Sequence, residues 1–258
     1  MATERSSAGD PARTLALLWR SSENVDPPNG RTPRGPRPTL SVDRVVAVGI
    51  SLADAEGLEA VTMRRVATEL AVAAMTLYTY VPGKAELLDL MLDTAYAEMA
   101  RSTPADDGWR SRVEAVAHDN QALYERHPWI AGVATSRPPL GPGVMAKYEY
   151  ELAAFEGLGL DDVARDAALT FVLGFVETCA RAAGDVRAAA YESALSDADW
   201  WAANGPLLDR VFDETRYPLA ARVGAAAGAA HGAAYSPAHA YRFGLARVLD
   251  GLAALVER

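Results

Sequence analysis

Between Thr62 and Lys84 two short runs with helical spacing stand only three residues apart, and that gap constrains the fold more than any other feature of the chain. Thr62 can accept a bond from a free amide in the first turn of the helix it precedes, and Met63, Val66, Ala67 and Leu70 follow at helical spacing. Ala71, Val72 and Ala73 are too few for a loop to travel anywhere, so a second short helix must start at once, at an angle to the first. That is a helix-turn-helix, in which one helix crosses the DNA backbone while the next enters the major groove. In the second helix Met75, Leu77, Tyr78 and Val81 are expected as apolar anchors. Thr76, Tyr78, Thr79 and Tyr80 offer hydroxyls to phosphates or base edges, and methyls or rings to thymine. Pro82 stops this helix, and Lys84 opens the next one within reach of a phosphate.

Taken alone, a Tyr-rich helix more often packs its rings into a core. Its surroundings reverse that reading. From Leu40 to Met99 the chain presents a long helix, a Gly turn, a Thr-x-Arg-x-Val-Ala helix, Thr-Leu-Tyr-x-Tyr-Val and Lys-x-Glu-Leu-Leu. The segment resembles, without a gap, the N-terminal domain of the TetR family of transcriptional regulators. The resemblance carries the family's DNA contacts onto Arg64, Thr76, Tyr78, Thr79, Tyr80 and Lys84. Two positions depart from the family pattern: Ala71 where a turn Gly is more usual, and Tyr80 where His is.

At 258 residues, half of them hydrophobic, the chain can bury two modest cores. The expected organisation is all-α: a flexible extension over 1–38, a three-helix helix-turn-helix DNA-binding domain over 39–101, and a larger helical ligand-binding and dimerisation domain over 102–258. A single cysteine, Cys179, excludes an internal disulfide and suits a reducing cytoplasm. With no apolar run near the ~20 residues that span a bilayer and no signal peptide, a cytoplasmic protein with no membrane partner is expected.

The net charge of -9 argues against nucleic-acid binding until its distribution is considered. Arg31, Arg34, Arg37 and Arg44 stand against only Asp43 just before the candidate DNA-binding helices. An arm of this composition suits a flanking minor groove. The acids are expected on solvated helix faces.

In the C-terminal part, Trp109, Val113, Val116, Ala117, Leu123 and Tyr124 mark a helix that Pro128 helps to end. A helix from Val144 to about Phe155 follows, and one from Asp161 to about Ala183 is apolar nearly all round. The last helix, from Pro237, repeats the pattern. Ala164 and Ala168 on one, with Tyr241, Leu245, Val248, Leu252 and Leu255 on the other, are expected to form a four-helix interface in a homodimer, the geometry the resemblance implies. The Gly-Ala tract from Gly224 to Ala234 reads as a loop.

No histidine pair, serine elbow, P-loop or dinucleotide fingerprint is present, so no enzyme chemistry, metal or cofactor is expected. From Trp109 onward the chain resembles, less specifically, the ligand-binding domain of the tetracycline-repressor branch. Ser136-Arg137-Pro138 stands where that branch has Thr-Arg-Pro, which places Arg137 at a pocket position; Val133 replaces its metal-binding His, so a magnesium-tetracycline ligand is not implied. Asn120, Tyr124, Phe171, Phe175, Glu177 and Thr178 complete the candidate contacts to a small-molecule effector, although Glu177 has Arg181 one turn away as an alternative partner. The expectation is a ligand-responsive repressor that binds a pseudo-palindromic operator as a homodimer. A small-molecule-binding protein with a vestigial helix-turn-helix, or an all-helical enzyme, remains open from the sequence.

Overall fold

The structure, a computed structural model, describes residues 5–21, 40–193, 195–233 and 235–257. The arginines Arg31, Arg34 and Arg37 of the expected minor-groove arm lie outside the described residues. Every regular element among them is helical: α1 (Pro11–Leu18), α2 (Val42–Glu56), α3 (Met63–Glu69), α4 (Ala74–Tyr78), α5 (Lys84–Ala97), α6 (Trp109–Arg126), α7 (Pro142–Ala153), α8 (Asp162–Ser193), α9 (Asp197–Leu208), α10 (Pro218–His231) and α11 (Pro237–Val256).

Local signals set most boundaries. Ser41 caps α2 by accepting from Arg44 N at 3.2 Å, and Thr62 caps α3 by accepting from Arg65 N at 3.1 Å. Gly57 leaves α2 at φ 84°, a conformation that a side chain disfavours. The turn after α3 passes through Ala71 at φ 54°, so the position where the family more usually has Gly does adopt the left-handed backbone.

Two apolar clusters form the core. One joins α2, α3, α4 and α5, with Val45, Val66, Leu77, Leu87, Met91 and Leu92 fully covered, and it takes in Trp129 and Ile130 beyond the end of α6. The other packs α6, α8 and α11 around Val113, Val116, Leu169, Val172, Val176 and Leu249. The helix α5 belongs to the first cluster and packs against α1, α2 and α7.

Four expectations need correcting. The Gly-Ala tract is not a loop: it lies largely within α10, where alanine's high helix propensity outweighs the glycines. The apolar helix α8 runs ten residues further than Ala183, to Ser193, on another Ala-rich stretch. By length and composition alone Asp162–Tyr191 could cross a membrane; here only one face of it, with Ala168, Leu169, Val172 and Val176, is buried in the cluster shared with α6 and α11, while Val163 and Phe171 face outward. Nor do all the acids lie on solvated faces, since Glu86, Asp89, Asp93, Asp119 and Glu151 are buried. Finally, residues 5–21 of the expected flexible extension include the helix α1, packed against α5.

Candidate DNA-binding and effector sites

Leu77 and Val81, both fully covered, fix α4 in the core of the head. That anchoring turns the opposite side of the helix outward. Thr76 and Thr79 are exposed, Tyr78 is 43 % exposed, and Arg64 is exposed on the preceding helix. Tyr80 is half-buried against the core, so its ring is partly structural. Lys84 is half-buried in the first turn of α5, on the same side of Pro82 as the sequence places it. Thr79 Oγ1 donates to Thr76 O at 2.6 Å, which leaves its methyl and lone pairs for a partner. One expected anchor is misplaced: Met75 is 76 % exposed and stands beside Thr76 on the outer face. It is a contact candidate that its apolar character concealed, because the α4 axis turns with Leu77 and not Met75 inward.

The head joins the rest of the chain at Asp54 of α2. Its Oδ1 accepts from Trp129 Nε1 at 2.9 Å and lies 2.8 Å from His127 Nδ1, at the C-terminal end of α6.

Between α5, α7 and α8 a cleft of about 420 Å³ is walled by Tyr96, Val144, Met145, Tyr148 and Leu173, with Thr135 and Pro138 at one side. Its polar end holds Lys147 and Glu151, 2.5 Å apart and nearly covered, and Asn120 Nδ2 donates to the same Glu151 Oε1 at 2.6 Å. Asn120 Oδ1 is buried without a hydrogen-bond partner. Lys147 also lies over the Tyr96 ring, 5.2 Å from its centroid. Burial, with the Glu151 and Glu177 carboxylates nearby, pushes the Tyr96 hydroxyl well above its ordinary range, and burial does the same to Tyr124. Both phenols therefore stay protonated donors at neutral pH. This is an apolar cleft with a few converging polar groups, the composition of a small-molecule site.

The expected effector contacts divide. Asn120 reaches the polar end only through its bond to Glu151, Tyr124 lines a separate cavity between α6, α8 and α11 beside Cys179 and Tyr241, and Glu177 lies close enough to act electrostatically on both tyrosines while paired with Arg181. The rest do not line the cleft. Arg137 is exposed; its backbone carbonyl, not its guanidinium, is engaged. Phe171 is 56 % exposed, Thr178 is exposed with its hydroxyl bonded to Gly174 O, and Phe175 stacks on Tyr241 across Gly244. A helix apolar nearly all round gives no sequence signal as to which face meets a cavity. Lys147 and Glu151, four apart, have the spacing of an ordinary surface pair, which hides their burial in the sequence.

The expected dimer seam is similarly redistributed. Ala168, Tyr241, Leu245, Val248 and Leu252 are all buried within one chain, where α8 meets α11, so that contact is intramolecular. Ala164 is half-buried and Leu255 is 42 % exposed. Val163, Phe171 and Tyr191 of α8 and Phe243 of α11 are also left outside, at 81, 56, 89 and 57 % exposure.

Comparison with known proteins fits this geometry. Residues 45–91 match the family model described as bacterial regulatory proteins, tetR family, and residues 102–256 match the tetracyclin repressor-like C-terminal domain. The chain is also 44 % identical to the HTH-type transcriptional repressor DrrR1 of Streptomyces coeruleorubidus, over 99 % of this chain and 90 % of the relative.

The chain belongs to the TetR family.

It is thus a ligand-responsive transcriptional regulator with a helix-turn-helix head and a helical C-terminal domain. The similarity to the tetracycline repressor protein class E of Escherichia coli is narrower, 36 % identity over 39 % of this chain and 49 % of that protein. Among solved structures, the TetR-family protein ActR of Streptomyces coelicolor in complex with (S)-DNPA aligns with TM-score 0.66 and 27 % identity, over 84 % of this chain and 98 % of ActR. ActR in complex with actinorhodin aligns with TM-score 0.67 and 25 % identity, over 84 % of this chain and 97 % of ActR. The relatives are transcriptional regulators, and no grouping of three or more metal-ligating side chains occurs among the described residues.

Proposed function

We propose that this TetR-family regulator is a repressor that acts in the cytoplasm, at the nucleoid, and binds a pseudo-palindromic operator as a homodimer. Each copy places α4 in one of two successive major grooves. The observation that carries this reading is the outward face of α4, where Met75, Thr76, Tyr78 and Thr79 are exposed while Leu77 and Val81 hold the helix from behind. Arg64 and Lys84 are assigned to phosphates, Thr76, Tyr78 and Thr79 to base edges, and Tyr80 to a mixed role. The likeness to the repressor DrrR1 supports the direction of control.

The cleft between α5, α7 and α8 is assigned to the effector, with Tyr96, Lys147 and Glu151 as its polar recognition groups and Asn120 holding Glu151 in place. The ActR complexes with actinorhodin and (S)-DNPA support a small-molecule effector of some size. Occupation of the cleft moves α5 and α6, and Asp54 transmits the movement to the head. To weaken operator binding a hundredfold, the effector need favour the non-binding head spacing by only about 3 kcal/mol.

The dimer face is assigned to the outer stripe of α8 and α11, through Val163, Ala164, Phe171, Phe243 and Leu255. A gel shift against the promoter region beside the protein's own coding sequence, repeated with actinorhodin as first probe, tests the reading. A discrete shifted band that actinorhodin weakens supports both halves. A protein that retains the ligand but shifts no DNA supports a vestigial helix-turn-helix instead.

A further inference from the structure

Residues 5–20 touch both functional parts of the molecule at once. On one side they grip the segment after α6. Ser6 N donates to Ala134 O at 3.2 Å, Ser6 Oγ to Arg137 O at 2.7 Å, Ser7 Oγ to Pro138 O at 3.1 Å and Trp19 Nε1 to Leu140 O at 2.7 Å. Thr135 and Pro138 of that same segment wall the effector cleft. On the other side, from residues interleaved with these, they grip the head. Ser7 N donates to Asp89 Oδ1 at 2.8 Å, Asp10 N donates to Glu86 Oε1 at 3.2 Å, and Arg20 pairs with Asp43 of α2.

The grip is built, not incidental. Ser6 and Thr14 are buried polar residues, and Leu18 is buried in the head's own apolar cluster. A Cβ on Gly9 would stand 2.5 Å from Glu86 Oε1, so any side chain there must push Glu86 aside. The acceptors Glu86 and Asp89 share one face of α5 with Asp93, which accepts from Val144 N at 2.9 Å and so holds the start of α7. A single face of α5 thus fastens both the strap and the next wall of the cleft.

We propose that residues 5–20 are an intramolecular strap that couples the wall of the effector cleft to the DNA-binding head, with Ser6, Ser7 and Gly9 as its positioning residues. Its role as a path for the effector signal rests on the assignment of that cleft, but its mechanical action does not. A segment that couples the two parts transmits a disturbance at one attachment to the other; two independent attachments do not.

Hydrogen exchange on the full-length protein, without effector or DNA, distinguishes the two. Gly9→Val disturbs the α5 attachment by forcing Glu86 aside, and Ser6→Ala disturbs the attachment to the segment after α6 by removing the hydroxyl that Arg137 O and Ala134 O share. Gly9→Val is expected to speed exchange about tenfold over residues 134–140, and Ser6→Ala to do so over residues 84–90. Arg13→Ala, on the exposed face of α1, should change neither region. Exchange that rises only around the altered residue in both variants overturns the strap. A further arm adds the promoter duplex: operator binding should slow exchange over residues 134–140 in the wild type and not in Gly9→Val. Failure to bind the duplex counts against the repressor assignment alone, because the arms without DNA still decide whether the strap transmits.

Discussion

Ala71 holds a left-handed backbone that an L side chain adopts at a cost of about 1–2 kcal/mol. Ala71→Gly should therefore stabilise the protein by up to about 1 kcal/mol, after allowance for the glycine's freer unfolded chain, without changing DNA affinity. Urea unfolding checks this, and a destabilised variant would show the turn to be unstrained. The departure from the family pattern was visible in the sequence; that it carried strain was not, since only coordinates give φ. Asp89 makes a second residue-level prediction. Burial, reinforced by the Glu86 charge, raises its pKa, against the smaller opposing pull of the Ser7 amide. A carboxyl with a raised folded pKa binds its proton more tightly in the folded state, so it favours folding more as pH falls from neutral toward the ordinary carboxylate range. Wild type should thus gain stability relative to Asp89→Asn over that fall in pH; a difference that stays constant with pH would contradict the burial. Neither Asp89 nor Asp93 was legible as buried, because an acid on an amphipathic helix ordinarily faces water.

At the scale of elements, the close approach of α5 and α7 depends on Gly143. A Cβ there would fall inside contact distance of Asp93 O and crowd Ala97 N, and backbone cannot swing aside as a side chain can. Gly143→Ala should cost about 1–3 kcal/mol in stability and enlarge the effector cleft, as read by thermal unfolding. Gly174→Ala on the outer stripe of α8 meets nothing within 4 Å in one chain and should be neutral or stabilising by about 1 kcal/mol. The head was the readable part of this fold. Thr62 specifies the start of α3 and the Leu70-to-Met75 spacing the turn, and the structure has both, whereas α4 closes at Tyr78, short of the expected stop at Pro82. The C-terminal helices were readable as helices but not as faces. Residues such as Phe171 and Leu245 carry equal hydrophobicity, and which one meets a neighbour is decided by tertiary packing that spacing along an all-round apolar helix does not encode. Asp10-Pro11 did announce α1, as a capping residue followed by a proline at the first helical position, but its Pro- and Gly-rich surroundings masked the signal.

For the whole molecule, five of the seven expected dimer residues are used up inside one chain, so the two-fold contact is assigned to what remains outside. Phe171→Glu buries an unpaired charge in that face if a second copy covers it, and should leave a folded monomer in sedimentation with helix content unchanged. Because one α4 alone binds weakly, the same variant should lose specific operator binding. A dimer that persists would move the interface elsewhere. The exposed face of α4 is the premise beneath all of this, and fluorescence anisotropy tests it most directly, with wild type and Tyr78→Ala titrated against the promoter duplex and a scrambled duplex at the same salt. Wild type is expected to prefer the promoter duplex by about a thousandfold or more, and Tyr78→Ala to lose about tenfold on that duplex with the dimer intact. Equal affinity for both duplexes, or a Tyr78→Ala variant that binds as the wild type does, would contradict the account.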